Sequence, residues 1–327
     1  MQSALAPTDA RALFAQMSGR RILVIGDIML DEWIWGTVTR ISPEAPVPVV
    51  AVNDHSFTLG GAGNVANNLR SLGAHVSLVG TTGDDRLAGR VRGLLDEIGV
   101  ERNGLVRLDD RPTTRKTRIV AHNQQVVRAD WESVEPLGAA DRMRVANFVE
   151  KEARDSDAVV LSDYAKGIFS RDVVEAALIA PLVIADPKPQ NLDLFRGVCC
   201  VAPNAQEAWQ ATGIPISGDA SLERTGTLLL QRLRCRYVVI TLGERGMALF
   251  GREGERLRVP AVARTVFDVS GAGDTVVAVL TLALAAGARV DLALQLANFA
   301  AGAVVEKLGT ATAHPDEILA LVEHGHS

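Results

Sequence analysis

The stretch of sequence that decides the fold lies near the C-terminal end and reads Asp268-Val269-Ser270-Gly271-Ala272-Gly273-Asp274. A long apolar stretch, residues 275–288, follows it and is typical of a buried helix. Two glycines one residue apart allow backbone N–H groups to lie close together, and the positive end of the next helix points at the same place. We therefore predict an anion-binding turn at Gly271, Ala272 and Gly273, with the carboxylate of Asp274 beside it.

A carboxylate beside an anion-binding turn is the arrangement that phosphoryl transfer to a hydroxyl group needs. The carboxylate accepts the proton of the attacking hydroxyl, and the backbone amides stabilise the charge on the transferred group. We predict that Asp274 is the general base of a small-molecule kinase. The structural alternative is that Asp274 serves only the helix start, because Gly-x-Gly turns are common before helices and Asp is an ordinary capping residue.

The composition is that of one globular chain with an apolar core. The chain has 327 residues, of which 47% are hydrophobic, which is ample for a core and excludes wholesale disorder. It carries 34 lysines and arginines against 39 aspartates and glutamates, a net charge of −5. No basic stripe with interleaved aromatic residues occurs in the sequence, so we do not expect a nucleic acid as partner.

Cysteine usage and hydropathy indicate a cytoplasmic protein. The three cysteines are Cys199, Cys200 and Cys235, an odd number with two adjacent inside an apolar run, which favours reduced core thiols over disulfides or metal ligands. Residues 1–21 lack the apolar core of a signal peptide. The longest apolar stretch, 275–288, is too short to span a bilayer, so we expect no membrane partner.

Short apolar runs alternate with helical patterns along most of the chain. This alternation predicts an α/β fold in which a mostly parallel central sheet is covered by helices on both faces. Three of the runs end in Asp27, Asp163 or Asp186, and ligands of such sheets gather at the carboxyl ends of strands. The predicted strands occupy residues 21–27, 75–80, 157–163, 182–186, 198–203 and 237–243.

Two segments do not follow the alternation. Residues 33–53 contain a proline-rich stretch that excludes a helix, and residues 112–130 contain two extended stretches rich in Thr, Val and Ile. We predict that both segments form one small β-sheet that stands off a single domain comprising residues 1–327. No internal repeat or flexible interdomain linker is evident in the sequence.

A second glycine cluster precedes another helical pattern and reads Leu59-Gly60-Gly61-Ala62-Gly63-Asn64-Val65-Ala66. Together with the 268–274 stretch, in this order along the chain, it resembles the two signatures of the PfkB, or ribokinase-like, family of sugar kinases. The resemblance covers essentially the whole chain. It implies a ribokinase-like fold in which the small β-sheet is a lid that closes over the sugar and often serves as a dimer interface, so we expect a homodimer through the lid.

A rival interpretation uses the same glycines. Residues 61–66 formally match the dinucleotide-binding fingerprint, with Asp84 and Asp85 about 20 residues later. That fingerprint follows a buried strand of the first βαβ unit, whereas the preceding residues 52–58 are polar and follow the predicted lid. A Walker-type loop ending in Gly-Lys-Ser/Thr is absent from the sequence, so the phosphates must be held in another way.

The family resemblance implies an ATP site with magnesium. Asn204 and Glu207 resemble the Asn-x-x-Glu element that organises Mg²⁺ and its waters, and Glu207 would bind the metal through water. The same spacing is also that of a helix capping box, and both roles are compatible. Asp268 and the backbone after it resemble a loop that binds a monovalent cation in some members. The residues that match the nucleotide site are Thr241, Gly243, Gly246 and Asn298.

Four segments narrow the resemblance to the heptose kinases of lipopolysaccharide precursor synthesis: residues 26–31, 40–48, 162–167 and 186–188. Those kinases phosphorylate the anomeric hydroxyl of D-glycero-β-D-manno-heptose 7-phosphate. The chain ends at Ser327, so we expect the monofunctional form or the kinase part of the bifunctional enzyme. The residues expected to bind this sugar are Asp27, Asp31, Gly60, Gly61, Asn64, Asp163 and Lys166.

A sugar that already carries a phosphate needs cations at its far end. We expect Lys188, Arg115 and Arg128 to supply them, the alternative for the lid cations being a charged sheet edge that resists aggregation. Two other functions stay open: another ribokinase-like kinase, for fructose 6-phosphate, ribose or a nucleoside, and a non-catalytic sugar- or nucleotide-binding protein on the same fold. The presence of Asp274 directly after Gly271 and Gly273 argues against a non-catalytic binding protein.

Overall fold

The computed structural model describes residues 5–122, 124–263, 267–307 and 309–324. Within these residues the chain forms thirteen strands, ten helices and two short 3₁₀ turns at Pro189–Phe195 and Gly243–Arg245. The strands are β1 (Arg21–Gly26), β2 (Ile28–Ile41), β3 (Pro48–Gly61), β4 (His75–Gly83), β5 (Glu101–Leu108), β6 (Arg115–Ala121), β7 (Gln124–Trp131), β8 (Ala158–Ser162), β9 (Val183–Asp186), β10 (Cys200–Val201), β11 (Tyr237–Thr241), β12 (Met247–Gly251) and β13 (Arg256–Val259). The helices are α1 (Pro7–Met17), α2 (Ala62–Ser71), α3 (Arg86–Glu97), α4 (Ala139–Arg154), α5 (Arg171–Ala177), α6 (Ala205–Thr212), α7 (Asp219–Leu233), α8 (Ala272–Ala285), α9 (Val290–Val305) and α10 (Pro315–His324).

A large sheet forms the centre of the molecule. Its nine strands, as far as the chain is described, run in the order β13-β12-β11-β10-β9-β8-β1-β4-β5. Neighbours from β11 to β5 are parallel, and β12 pairs antiparallel with both β11 and β13. The carboxyl ends of six adjacent parallel strands, β11, β10, β9, β8, β1 and β4, therefore lie side by side along one edge of the sheet.

Helices cover both faces of this sheet. On β1, Ile22 and Val24 pack into one apolar core with α1, α2, α3, α8, α9 and α10. Leu23 and Ile25 point to the opposite face and pack with α4, α5, α6 and α7. Because successive side chains of a strand point to opposite faces, a continuous apolar run such as 22–25 is the sequence of a strand buried on both sides. The predicted α/β architecture is confirmed.

The six predicted strands are all present, and three further strands of the large sheet, β5, β12 and β13, were not predicted. β5 and β13 lie at the two edges of the sheet, so part of each faces water and their sequences mix polar and apolar residues. Such a pattern is a weaker strand signal than a continuous apolar run. Cys199, Cys200 and Cys235 are free cysteines, as expected.

The second sheet comprises β2, β3, β6 and β7, in the order β3-β2-β6-β7 among the described residues. Its strands extend beyond the two segments that the sequence indicated, since β2 begins at Ile28 and β3 continues to Gly61. The polar residues 52–58 are thus part of a strand. The glycine cluster follows this antiparallel strand and not a strand of the parallel sheet, so the structural context of a dinucleotide fingerprint is missing.

A helix that crosses a bilayer needs roughly 20 mostly apolar residues. Across the part of the chain that the structure describes, no helix is long and apolar enough to cross a membrane.

Candidate active site

The polar residues at the strand ends meet the start of α8. Asp27 follows β1, Asp163 follows β8, Asp186 ends β9 and Asn204 follows β10. Helix α8 packs against β8, β9 and α2. Its first turn therefore brings Asp274 to the edge of the sheet where these residues lie, as the sequence suggested.

The Asp274 carboxylate is buried and held by two donors. Asn64 Nδ2 donates to Asp274 Oδ2 at 2.8 Å, and the Tyr164 hydroxyl donates to Asp274 Oδ1 at 2.7 Å. Burial raises the pKa of Asp274 to about 6, although both hydrogen bonds and the charge of Lys188 act in the opposite direction. A carboxylate with this pKa is ionised near neutral pH and is a stronger base than an exposed aspartate, which suits proton abstraction.

Asn64 is positioned by a buried amide network, and its observed partner is not the one expected. Asn68 Nδ2 donates to the Asn64 backbone carbonyl at 3.0 Å, and the Thr275 hydroxyl donates to Asn68 Oδ1 at 2.9 Å. This network ties α2 to α8. We expected Asn64 at the sugar; the structure places its amide on Asp274, and its contact with the sugar stays a prediction.

Glycines are required where α2 and α8 begin. Gly271 has φ of 79°, and a Cβ atom on it would lie 2.6 Å from Asn64 Nδ2. Gly61 has φ of 57°, and a Cβ atom there would collide with the Asp27 carbonyl oxygen. At Gly60 a Cβ atom would lie 2.5 Å from Asp31 Oδ2. Gly60, Gly61 and Gly271 therefore allow close approach of chain segments around the acids, in addition to any approach to a ligand.

Tyr164 was not identified from the sequence as a functional residue. It lies in the turn after β8, its hydroxyl contacts Asp274, and its ring lies 4.9 Å from Lys188 Nζ. Burial and the surrounding carboxylates raise the pKa of Tyr164 well above its ordinary value, so it remains a hydrogen-bond donor. The signal available in the sequence was its place directly after a strand-end acid.

Asp27 holds this turn through one of its two carboxylate oxygens. Its Oδ2 accepts hydrogen bonds from the backbone amides of Tyr164 at 2.8 Å and Lys166 at 3.0 Å. Burial raises the pKa of Asp27 to about 6. The observed role of Asp27 is to position this turn, because a strand-end carboxylate readily accepts from nearby backbone donors. Its Oδ1 is buried without a hydrogen-bond partner among the described residues, and its expected contact with the sugar stays a prediction.

Asp163 has the same kind of role. It is fully buried, with Oδ1 accepting from Ala165 N at 2.8 Å and Asn191 Nδ2 at 3.0 Å, and Oδ2 accepting from Lys188 N at 2.9 Å. Burial raises its pKa. Asp163 thus joins the turn after β8 to the turn after β9, and its expected contact with the sugar stays a prediction.

Lys188 lies among the acids around the base. Its ammonium pairs with Glu207 Oε1, and Asp186 and Asp274 are close enough to affect its charge. Burial disfavours the charged form, but Asp186 and Glu207 outweigh burial and raise the pKa of Lys188. Lys188 is thus engaged by Glu207 and lies close to Asp274, and its expected contact with the sugar phosphate stays a prediction.

Asn204 and Glu207 form the capping box of α6. Asn204 Oδ1 accepts from Glu207 N at 2.9 Å, and Glu207 Oε2 accepts from Asn204 N at 2.9 Å. Asp186 lies nearby, and burial raises its pKa to about 8 even though Lys188 opposes this. Within the described residues, no group of three or more His, Cys, Asp or Glu side chains is arranged to hold a metal by itself. Two carboxyl groups with hard oxygen atoms are nevertheless sufficient for Mg²⁺, which keeps several waters.

The residues expected at the nucleotide site lie at the end of β11, in the turn after it and on α9. Thr241 ends β11 and is half-buried, and Gly243, with φ of 62°, opens the following 3₁₀ turn toward free space. Gly246 is needed for packing, because a Cβ atom would collide with the Val259 carbonyl oxygen. Asn298 is buried, and its Nδ2 donates to the Pro260 carbonyl at 2.7 Å. The structure therefore gives Gly246 and Asn298 structural contacts, and their nucleotide roles remain predictions.

Asp268 arranges the loop before α8. Its Oδ1 accepts from Ser270 N at 2.9 Å and its Oδ2 from Gly309 N at 3.0 Å. Burial would raise the pKa of Asp268, but these hydrogen bonds outweigh burial and lower it. The second sheet reaches the same place, because the Thr310 hydroxyl donates to the Thr58 hydroxyl at 3.0 Å.

Asp31 and a cation that the sequence did not single out face each other on the second sheet. Asp31, on β2, is buried and pairs with the Arg118 guanidinium from β6. That guanidinium also lies 5.0 Å from the Trp33 ring. The charge of Asp31 acts to raise the pKa values of both Asp274 and Tyr164, and Asp31 stays a candidate for binding a sugar hydroxyl.

The cations expected to bind the sugar phosphate are engaged in different ways. Arg115 lies 3.8 Å over the Trp131 ring and pairs with Glu32 at 3.3 Å. Arg128 is half exposed and makes two hydrogen bonds to Asp130, at 2.9 and 3.1 Å. Both are therefore built into the second sheet.

Lys166 and Lys116 share a different partner. They both pair with Glu132, which directly follows β7.

Two solved structures share the fold of this chain. Arabidopsis thaliana ribokinase complexed with ribose and ATP matches with a TM-score of 0.74 and 20% identity, covering 93% of this chain and 99% of that chain. Escherichia coli phosphofructokinase-2 in complex with potassium matches with a TM-score of 0.79 and 17% identity, covering 94% and 100%. The fold is ribokinase-like.

The sequence establishes the family. The profile described as pfkB family carbohydrate kinase matches residues 20–317, and the chain belongs to that family, which places it among the ATP-dependent sugar kinases. It is 46% identical over 311 residues to the bifunctional protein HldE of Desulfatibacillum aliphaticivorans, and 46% identical over 304 residues to that of Gluconacetobacter diazotrophicus. The alignments cover 94% and 91% of this chain but only 64% and 63% of those proteins.

Proposed function

We propose that the chain transfers the γ-phosphoryl group of ATP to the anomeric hydroxyl of D-glycero-β-D-manno-heptose 7-phosphate. The product would be the heptose 1,7-bisphosphate used for ADP-heptose and lipopolysaccharide core synthesis. The observation that carries the proposal is the buried Asp274 at the start of α8, held by Asn64 and Tyr164 where the strand-end acids and Lys188 converge. The resemblance of residues 26–31, 40–48, 162–167 and 186–188 to heptose kinases selects the sugar.

Asp274 is the proton acceptor of the proposed reaction. The anomeric oxygen attacks the γ-phosphorus as its proton passes to an Asp274 oxygen, and the bond from the γ-phosphorus to the bridging oxygen breaks to release ADP. Asn64 and Tyr164 hold the carboxylate in place through its two oxygens. The amides of residues 271–273 at the positive end of α8, together with Lys188, stabilise the charge on the phosphoryl group during transfer.

The turn after β9 and the start of α6 suit a magnesium ion. Glu207, acting through water, and Asp186 would hold it near the triphosphate, and the ion would supply charge neutralisation there. Lys188, between these acids and Asp274, links the proposed metal position to the base. The Asp268 loop is the proposed site for a monovalent cation, and a phosphofructokinase-2 structure of the same fold contains potassium.

We also propose that the protein acts in the cytoplasm, where ATP is made, and forms a homodimer through its second sheet. Large apolar side chains are exposed on that sheet, among them Ile41, Val52 and Val127. Several exposed apolar side chains on one sheet favour a protein–protein contact.

A second candidate within the family is a kinase for a different sugar phosphate. The match to phosphofructokinase-2 and the cations of the cleft support it. A non-catalytic binding protein is disfavoured, because a pure binder gains nothing from burying Asp274 beside an anion-binding turn and raising its pKa.

Turnover of ATP measured against a panel of sugars tests the proposal. The panel contains heptose 7-phosphate, fructose 6-phosphate, ribose and a nucleoside, and ³¹P NMR of the product locates the new phosphate. We expect the highest kcat/KM for heptose 7-phosphate and a product phosphorylated at C1. A clear preference for another acceptor would replace heptose 7-phosphate as the substrate, and phosphate at another carbon would refute the anomeric assignment.

A further inference from the structure

One carboxylate joins two lysines that come from different sheets. Glu132 Oε1 accepts from Lys166 Nζ at 2.7 Å, and Glu132 Oε2 lies 3.2 Å from Lys116 Nζ. Lys166 belongs to the turn after β8 of the large sheet, whereas Lys116 is on β6 of the second sheet. Glu132 therefore lies between two ammonium groups, one from the turn after β8 and one from the second sheet.

The two lysines are largely shielded from water. The side chains of Lys166 and Lys116 are 15% and 17% exposed, and that of Glu132 is 24% exposed. Burial disfavours ionisation of Glu132, but the hydrogen bond from Lys166 and the charge of Lys116 outweigh it and lower its pKa. Charges that are partly removed from water interact more strongly than exposed ones, so these lysines form a ready binding position for an anion.

This position lies next to the expected sugar site. The Lys166 amide is fixed by Asp27, two residues after Tyr164, whose hydroxyl contacts Asp274. Lys116 is paired across β2 and β6 with Asp31. Since paired residues of neighbouring strands share a face, Lys116 and Asp31 point to the same side of the second sheet.

We propose that Lys116 and Lys166 bind the phosphate that the sugar already carries, and that Glu132 is an internal competitor which this phosphate displaces. The inference rests on the proposed function, because it assumes a phosphorylated sugar as acceptor. A phosphate monoester carries up to two negative charges and three acceptor oxygens, so it replaces a carboxylate between two ammonium groups. A sugar without the phosphate leaves Glu132 in place, which makes Glu132 a specificity-determining residue.

The other candidate cations are less suited to this role. Arg115 is stacked on Trp131, and Lys188 lies among the acids around the base. Asp130 pairs with both Arg128 and Lys116, but Arg128 is half exposed, whereas Lys116 is largely buried and also reaches Glu132, at 3.2 Å. Displacement of Glu132 also has a structural consequence. The sugar phosphate would then replace Glu132 in joining Lys116 of the second sheet to Lys166 in the turn after β8. Binding of the sugar phosphate would therefore be coupled to the contact between the two sheets.

Calorimetric binding to the full chain tests the inference, using heptose 7-phosphate and the same heptose without phosphate. We expect Glu132→Gln to lower the Kd of the phosphorylated sugar by about threefold to tenfold, because a competing charge is removed. Lys166→Gln and Lys116→Gln should each raise it by about tenfold to a hundredfold. None of these changes should alter the Kd of the unphosphorylated heptose by more than about twofold.

Glu135→Gln is the matched control. It makes the same change of charge three residues further along, on an exposed side chain, and should leave both Kd values unchanged. In the double variant Glu132→Gln with Lys166→Gln, the benefit of the first change should shrink, because the two residues act on one group.

Two results would overturn the inference. One is a Glu132→Gln variant that binds the phosphorylated sugar no more tightly than the wild type. The other is a pair of lysine variants that weaken both forms of the sugar equally. If turnover shows that the wild type uses a different sugar phosphate, the heptose assignment fails and the same comparison is made with that sugar and its unphosphorylated form. If no sugar phosphate is an acceptor, the inference fails with its premise.

Discussion

Single side chains define the chemistry at the residue scale. Asp274 lies 210 positions from Asn64 and 110 from Tyr164 in the sequence, yet both donate to its carboxylate. Three elements thus converge on one carboxylate, and its pKa of about 6 results from burial opposed by these donors. The base is therefore a property of the group of residues and not of the aspartate alone.

Asp274→Asn should keep binding of sugar and ATP and reduce kcat by about a hundredfold or more, since the amide cannot accept the proton. The measurement is steady-state kinetics combined with calorimetric binding of both substrates. Normal turnover by this variant would show that another group is the base.

The pH dependence of the rate should follow the same carboxylate. Because the pKa of Asp274 is raised to about 6, kcat/KM should fall as the pH drops through about 6, where the base becomes protonated. Tyr164→Phe removes a donor that stabilises the ionised form, so it should move this acid limb to higher pH. Asp31, Asp186 and Lys188 also surround the base and remain in the variant.

Tyr237→Phe is the matched control, because this tyrosine begins β11 at the opposite end of the strand from the site. It should leave the pH profile unchanged. If Tyr164→Phe lowers the rate equally at all pH values, the tyrosine has only a packing role.

Helix starts carry the site at the element scale. Helices α2, α6 and α8 each begin near the sheet edge, where they contribute Asn64, Glu207 and Asp274. The unpaired N–H groups of a helix start favour negative charge, which explains why a phosphate-handling site is assembled from them.

Gly271→Ala and Gly273→Ala form a matched pair on α8. At Gly271, φ is 79° and the added Cβ atom would press on Asn64, so the variant should lose about 1–2 kcal/mol of stability and much of its activity. At Gly273 no atom lies within 4 Å of an added Cβ, so folding should be unchanged or more stable by about 0.5–1 kcal/mol. Denaturant unfolding measures both. Equal destabilisation of the two variants would contradict the assignment of strain to Gly271.

Glu207→Gln tests the proposed magnesium role of Glu207 separately from its capping of α6. Gln at this position still accepts the hydrogen bond from the Asn204 amide, so the capping contribution to stability should be kept. The charge that pairs with Lys188 is lost, so a moderate loss of stability of about 1–3 kcal/mol is expected. The Mg²⁺ concentration for half-maximal rate should rise by about tenfold. Glu207→Ala should lose both functions. An unchanged magnesium profile in the Gln variant would leave capping as the role of Glu207.

The two sheets define the whole molecule. The large sheet carries the strand-end acids, and the second sheet supplies Asp31 and Lys116. Thr58 and Glu132 of the second sheet segment contact Thr310 and Lys166 of the main part of the molecule. A substrate bound there would contact both sheets.

Association of two chains through the second sheet should be sensitive to charge. Val52 and Val127 are 59% and 48% exposed on this sheet, and replacing both with Asp should convert a dimer to a monomer in sedimentation velocity. Met143→Asp, at an equally exposed methionine on α4, is the control and should leave the dimer intact. A dimer that survives the double change uses another surface.

The sequence by itself determined the α/β class, most strands of the central sheet, the second sheet and the place of Asp274 at the start of a helix. These features depend on local signals, namely continuous apolar runs, proline-rich or β-branched segments and glycines one residue apart before a helix. The edge strands β5 and β13 were missed because half-exposed strands lack a continuous apolar run.

Only the tertiary structure decided where the polar side chains point. Asp27 and Asp163 turn inward to backbone amides, Asn64 holds the base, and Tyr164 joins it. Asp27 lies 137 residues from the turn that it holds. A carboxylate binds whichever donors the fold brings within hydrogen-bonding distance, and donors so far away in the chain leave no local pattern in the sequence.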